Sequence, residues 1–176
     1  MKRSTSRSGA GRAHADDRAR EEEALRDLER FYCEVDAMYA GTTCPSSTEC
    51  CRFAITGREP YVTNVELALL RRAMAQRAGK KSDRAEPLSA KDPRLPVLAD
   101  ERTCPLLSRE GRCSVYAARP FGCRTFFCER AESLAPVRHA DMLARVRELK
   151  SLAERHEPGG SAGRPLTRAL ELGKSR

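Results

Sequence analysis

Eight cysteines in 176 residues, gathered into two groups, constrain this chain more than any other feature. Cys44, Cys50 and the adjacent Cys51 form the first group, with Cys33 a short way upstream; Cys104, Cys113, Cys123 and Cys128 form the second. Thiols at this density serve as disulfide staples in an oxidising compartment, or as metal or redox groups in a reducing one. The stretch MKRSTSRSGAGRAHADDRAREEE has basic residues but no apolar core and no cleavage site, so a secretory signal is not expected. No run approaches the roughly twenty apolar residues of a membrane helix. The expectation is a cytoplasmic protein, not membrane-associated, with reduced cysteines.

The remaining composition agrees with a small core in need of reinforcement. A third of the residues are charged, aromatics make up 5%, and tryptophan is absent. Chains with little apolar material often add metal or disulfide staples. The net charge of +8 permits nucleic-acid contact. Much of that excess lies in the two ends, and neither a recognition-helix motif nor an aromatic stacking platform accompanies it, so nucleic acid is a minor alternative. An unidentified protein is the expected partner.

Residues 1–16, rich in Ser, Arg and Gly, read as a disordered basic arm. Asp16 or Asp17 can cap a helix running to about Met38 or Tyr39, with Leu25, Leu28, Tyr32, Val35 and Tyr39 at spacings of three and four. Cys33 falls off that stripe. Thr63 and Glu66 have capping-box spacing, which predicts a second helix from near Asn64 to Gly79 with Val65, Leu69, Ala73 and Met74 inward. Pro87, Pro93 and Pro96 make residues 80–100 a linker or long loop. TCPLL and RCSVY flank SREG as a hairpin turning at Gly111, with Tyr116 in its core. A third helix is expected from about Pro136 to Arg155, presenting Met142, Val146, Leu149 and Ala153. Residues 17–157 are thus expected to form one domain, and residues 158–176 a tail with one short helix or none. The fold class is α+β: a small, mostly helical domain with three helices around a short β-hairpin and a cysteine-rich metal-binding loop region.

Soft thiolates suit zinc and iron–sulfur clusters, whereas hard cations favour oxygen donors. Cys104 and Cys113 lie on the two arms of the predicted hairpin, and Pro120 and Gly122 bend the chain so that Cys123 and Cys128 can return to them. Cys50 and Cys51, as neighbours, can share one metal only with an unusual backbone; otherwise they serve two centres or form a redox couple. Arg52, Arg119 and Arg124 lie beside the thiols, where a cation favours thiolate over thiol. Arg119 and Arg124 are candidates to bind an acidic cofactor or substrate group; the alternative is that they brace the loop or offset cluster charge. His14, His139 and His156 read as solvated surface residues, as does Glu49. No catalytic triad, phosphate loop or carboxylate pair stands out.

The run CPLLSREGRCSVYAARPFGCRTFFC, preceded by a double cysteine and a T-x-x-E helix start, resembles the YkgJ-type cysteine-cluster family. The family pattern C-P-x-L, G-x-C-x-[IV]-Y-x-x-R-P-x-x-C-R and a further cysteine is matched at Cys104, Pro105, Leu107, Gly111, Cys113, Val115, Tyr116, Arg119, Pro120, Cys123, Arg124 and Cys128. The first half departs from the usual C-x-x-C-x-x-C-C: here Cys44 precedes Cys50 and Cys51, and Cys33 either replaces the missing thiol or is a bystander. The resemblance implies a zinc- or iron-binding site built from these cysteines. The absence of paired C-x-x-C knuckles tilts the expectation toward an iron–sulfur cluster over zinc. The expected role is structural, electron-transferring or partner-binding. Two alternatives differ in class. One is an S-adenosylmethionine-dependent protein lysine methylase, which the family resemblance reaches but for which the chain has no glycine-rich nucleotide loop. The other is a thiol redox protein using Cys50 and Cys51, or Cys123 and Cys128. Catalysis is the lesser expectation.

Overall fold

The computed structural model describes residues 8–42, 48–79, 102–108, 110–127 and 136–171, with the side chains of residues 8–14 and 79 left aside. Six helices carry the fold: α1 (Ser8–Met38), α2 (Phe53–Thr56), α3 (Asn64–Gly79), α4 (Phe121–Arg124), α5 (His139–His156) and α6 (Leu166–Glu171). Two strands of two residues each, β1 (Tyr61–Val62) and β2 (Arg164–Pro165), pair antiparallel with Tyr61 opposite Pro165. The architecture is a small, mostly helical α+β fold.

Helix α1 is the spine, packed on α5, α3 and α4. Its buried residues are Leu25, Leu28, Phe31, Tyr32 and Val35, so the expected stripe is widened by Phe31. The reason is that α1 is covered on two sides. Phe31 stacks on Phe121 of α4 at 5.7 Å, and Arg145 of α5 reaches Glu34 from the other flank at 2.6 Å. The helix starts at Ser8, ahead of the expected Asp16 cap and within the segment read as an arm. Ala10, Arg12, Ala13 and Ala15 are strong helix formers and favour the extension through Gly11.

Helix α3 has the predicted boundaries, Asn64–Gly79. Val65, Leu69 and Leu70 are buried and Ala73 packs against the core, but Met74 is 39% exposed, because the inward face turns toward Glu66 and Leu70 instead. In α5, Leu149, Leu152 and Ala153 are buried with Met142 and Val146 packed alongside. The C-terminal segment is held closely. Leu166 and Ala169 are buried, the Leu166 N–H donates to the Pro60 carbonyl at 3.0 Å, and Thr167 donates through N and Oγ1 to Glu59 at 2.7 and 2.6 Å.

The predicted hairpin is reduced to one antiparallel bridge, Leu107 to Cys113, flanked by Ser108 N to Arg112 O and Ser114 N to Leu106 O, both 2.8 Å. Gly111 makes its turn at φ 70°, the left-handed conformation that glycine adopts without steric cost. Tyr116 is not a hairpin core residue: beyond Val115 the chain enters a 3-10 turn, Tyr116–Ala118, which turns the ring outward to 63% exposure. The Pro-rich segment 80–100 lies outside the described residues. Among those described, no helix is long and apolar enough to cross a membrane.

Candidate metal centre

Three stretches of chain converge to bring five thiols to one region. The first is the 3-10 turn Glu49–Cys51, entered through Thr48 at φ 60°, a left-handed conformation that a β-branched residue adopts only when its surroundings enforce it. The turn leaves the Sγ atoms of Cys50 and Cys51 3.9 Å apart. Ligands about 2.3 Å from a tetrahedral ion lie about 3.8 Å from one another, so this pair spans one edge of such a site.

The second stretch runs antiparallel to the first. Arg102 O accepts from Phe53 N at 2.7 Å, Thr103 bridges Arg52, and Cys104 N donates to Cys51 O at 2.7 Å. Cys104 is thereby buried beside Cys51, and the Leu107–Cys113 bridge folds Cys113 back toward them. The third stretch is α4, one turn long, which carries Cys123. Pro120 opens it, and Gly122 lies so close to Pro60 that an added Cβ would stand 3.1 Å from the proline Cβ.

The thiols feel one another. Burial, followed by the charges of Cys113, Cys51 and Cys50 and of Glu66, pushes the Cys123 thiol up to about 12. The hydrogen bond with Cys104, then burial, pushes Cys51 up to about 12, against an opposing contribution from Cys50. Cys50 is raised through its hydrogen bond to Cys51, and Cys113 chiefly by burial, with the positive charge of Arg119 opposing both shifts. Without a cation these groups stay protonated at neutral pH, and each thiolate formed repels the next. A bound cation would remove that repulsion, so the donor set fits a soft metal by its chemistry. As they stand, no three His, Cys, Asp or Glu side chains among the described residues are arranged to hold a metal ion. Cys44 and Cys128 lie outside the described residues. Cys33 is exposed on α1.

The two arginines expected to bind a cofactor are engaged within the chain. The Arg124 side chain is 4% exposed; it donates through Nε to Arg119 O at 2.9 Å, through Nη1 to Asp36 at 2.5 Å and through Nη2 to Ala117 O, and its guanidinium lies 3.9 Å from the Tyr32 ring centroid. Those bonds hold the turn that carries Cys123 to α1. Arg119 pairs with Asp36 at 3.1 Å and covers the Tyr116 ring at 4.0 Å, close enough to Cys50 and Cys113 to favour their ionised forms.

Sequence reasoning missed two acids. Asp36 is the counter-ion of both arginines, with no signal beyond its place beside buried Val35. Glu66, 1% exposed, was expected only as half of a capping box. Its Oε2 accepts from Thr63 N at 2.8 Å and Thr63 Oγ1 at 2.9 Å, while Oε1 accepts from Tyr32 OH at 3.0 Å and Phe121 N at 2.8 Å. Thr63 therefore donates to the carboxylate, where the capping-box reading has its hydroxyl accepting from the helix. His139 is exposed as expected, whereas His156 is half-buried, with Nδ1 enclosed and without a hydrogen-bond partner.

A mostly helical α+β domain that gathers thiols from three segments defines a cysteine-cluster class. The model of the CxxCxxCC family, described as "Putative zinc- or iron-chelating domain", matches residues 43–142, more than half of the chain. The chain belongs to that family, which supports metal binding in general terms. No curated protein and no solved structure matches it.

Proposed function

We propose that this protein is a thiolate metal-binding module in which Cys50, Cys51, Cys104, Cys113 and Cys123, together with Cys44 and Cys128, hold an iron–sulfur cluster, with zinc as the alternative metal. The observation that carries the reading is the convergence of Cys51, Cys104, Cys113 and Cys123 from distant parts of the chain. Thiols whose mutual charge opposes ionisation are stabilised together only by a shared cation. A bound cluster would supply a one-electron couple and a cross-link between the two halves of the domain. The chain's own residues supply the rest. Arg119 offsets thiolate charge, Arg124 and Asp36 fix the Cys123 turn to α1, and the apolar wall of Leu106, Leu107 and Phe53 keeps water from one side. Such a site suits a reducing, cytoplasmic setting and a structural or electron-transferring role toward a protein partner.

The test is anaerobic purification followed by metal and sulfide analysis and an absorption spectrum. Stoichiometric iron and sulfide with a broad band near about 400 nm is the expected result. Colourless protein with stoichiometric zinc replaces the cluster with the alternative metal. Protein that holds neither refutes the reading.

A further inference from the structure

We propose that Glu66 is the positioning residue of the thiol centre: its buried carboxylate, bonded to Tyr32 and to the backbone of Phe121, sets where Cys123 stands relative to Cys51 and Cys113. The inference rests on the metal-binding reading and adds to it a residue that is not itself a ligand.

The geometry exceeds what helix capping needs. A cap at the start of α3 uses only the Thr63 N–H, which one oxygen, Oε2, already satisfies together with the Thr63 hydroxyl. The second oxygen serves other elements. It accepts the phenol of Tyr32 from α1 and the N–H of Phe121, the first residue of α4 and two before Cys123. The residue after Cys123 is Arg124, whose guanidinium lies over the ring of that same Tyr32 and pairs with Asp36 of α1. Cys123 is thus fastened on one side to α3 through Glu66 and on the other to α1 through Arg124, with Tyr32 common to both. Gly122 against Pro60 closes the third side.

Electrostatics argues that the purpose is position. A buried carboxylate is costly to strip of water, and the four donors around Glu66 offset that cost. An amide in its place could not accept from all four donors. One amide oxygen would replace two carboxylate oxygens, and the NH₂ group would face the Thr63 N–H. The carboxylate is the one side chain of that shape that receives donors from α1, α3 and α4 at once.

The experiment is a Co²⁺ titration of the reduced full chain under anaerobic conditions. It is followed by the thiolate-to-cobalt charge-transfer band and by competition with a chromophoric chelator, for wild type, Glu66→Gln, Tyr32→Phe and a core variant elsewhere on α1, Leu25→Ala. Groups that orient ligands typically contribute about 10- to 100-fold to metal affinity. A loss in that range is expected for Glu66→Gln with an altered charge-transfer envelope, and a smaller loss for Tyr32→Phe. Leu25→Ala, destabilised in the core but two turns away from Tyr32 along α1, should keep the wild-type spectrum. Unchanged affinity and spectrum in Glu66→Gln overturn the proposal, as does an equal spectral change in Leu25→Ala. If Glu66→Gln does not fold, Tyr32→Phe decides by the same criteria. Wild type that takes up no Co²⁺ and assembles no cluster when reconstituted anaerobically with Fe²⁺ and sulfide overturns the metal reading itself, a result distinct from a wild type that binds and a variant that binds equally well.

Discussion

Replacing Arg124 by lysine separates the two roles open to it, and the structure sets the size of the effect. The substitution keeps the charge, and an ammonium can still reach Asp36. It removes the fork: the bonds from Nε to Arg119 O at 2.9 Å and from Nη2 to Ala117 O have no donor left. Ala117 is exposed and Arg119 half-buried, so water can recover part of each, and the loss per bond falls near the ordinary net value of about 0.5–1.5 kcal/mol. The side chain is only 4% exposed, and an ammonium is harder to strip of water than a guanidinium, which puts the total at about 2–3 kcal/mol. For a chain of this size, about 2–4 °C of Tm follows each kcal/mol, so a fall of roughly 4–12 °C is expected. The assay is thermal and urea unfolding of the metal-free, reduced protein by circular dichroism, with m compared to detect changes in the unfolded state. Stability within about 0.5 kcal/mol of wild type would refute the bracing role. Unchanged stability with lost metal would return Arg124 to the bound group.

Three further outcomes are expected. Gly122→Ala gains up to about 1 kcal/mol of helix propensity but forces a Cβ against the stiff Pro60 ring at 3.1 Å, an overpacking cost of about 1–3 kcal/mol; Tm should fall by a few degrees, and a rise would show that α4 has room to move. Thiols raised to about 12 in the fold keep their protons while unfolded thiols, near about 8.5, lose theirs. The stability of metal-free protein should therefore fall as pH rises from about 8.5, by up to about 1.4 kcal/mol per unit for each of Cys51 and Cys123; metal-loaded protein, already deprotonated there, should lack the slope in a Tm-against-pH series. Cys33→Ser should leave metal content unchanged while Cys123→Ser lowers it, by elemental analysis of protein purified without oxygen; equal losses would place Cys33 in the site.

What could be read in advance divides along physical lines. Helix α3 was legible because both its ends carry local chemistry, Thr63 with Glu66 at the start and Gly79 at the end. The α1 stripe was legible because a 3.6-residue period is a property of one segment, but Phe31 was not, since its burial comes from Phe121 far along the chain. Tyr116 misled because alternation over a few residues cannot distinguish a strand from a chain that turns after Val115. The pairing of Tyr61–Val62 with Arg164–Pro165 leaves no periodic trace in strands of two residues. At the centre, spacing and turn residues point to Cys104, Cys113, Cys123 and Cys128 as one group, of which Cys128 lies outside the described residues. The second oxygen of Glu66 was not legible, because T-x-x-E accounts for local bonds and says nothing of Tyr32 or Phe121.

The Pro60 corner bears on the order in which the protein can be assembled. Pro60 receives the Leu166 N–H on its carbonyl and supports Gly122 of the Cys123 turn on its ring. A chain emerging from the ribosome exposes every one of its cysteines before Leu166 exists, so any ion taken up at that stage meets thiols whose backing wall is still unfinished. Docking of Leu166 on Pro60 thus completes this corner only after all eight cysteines have been synthesised.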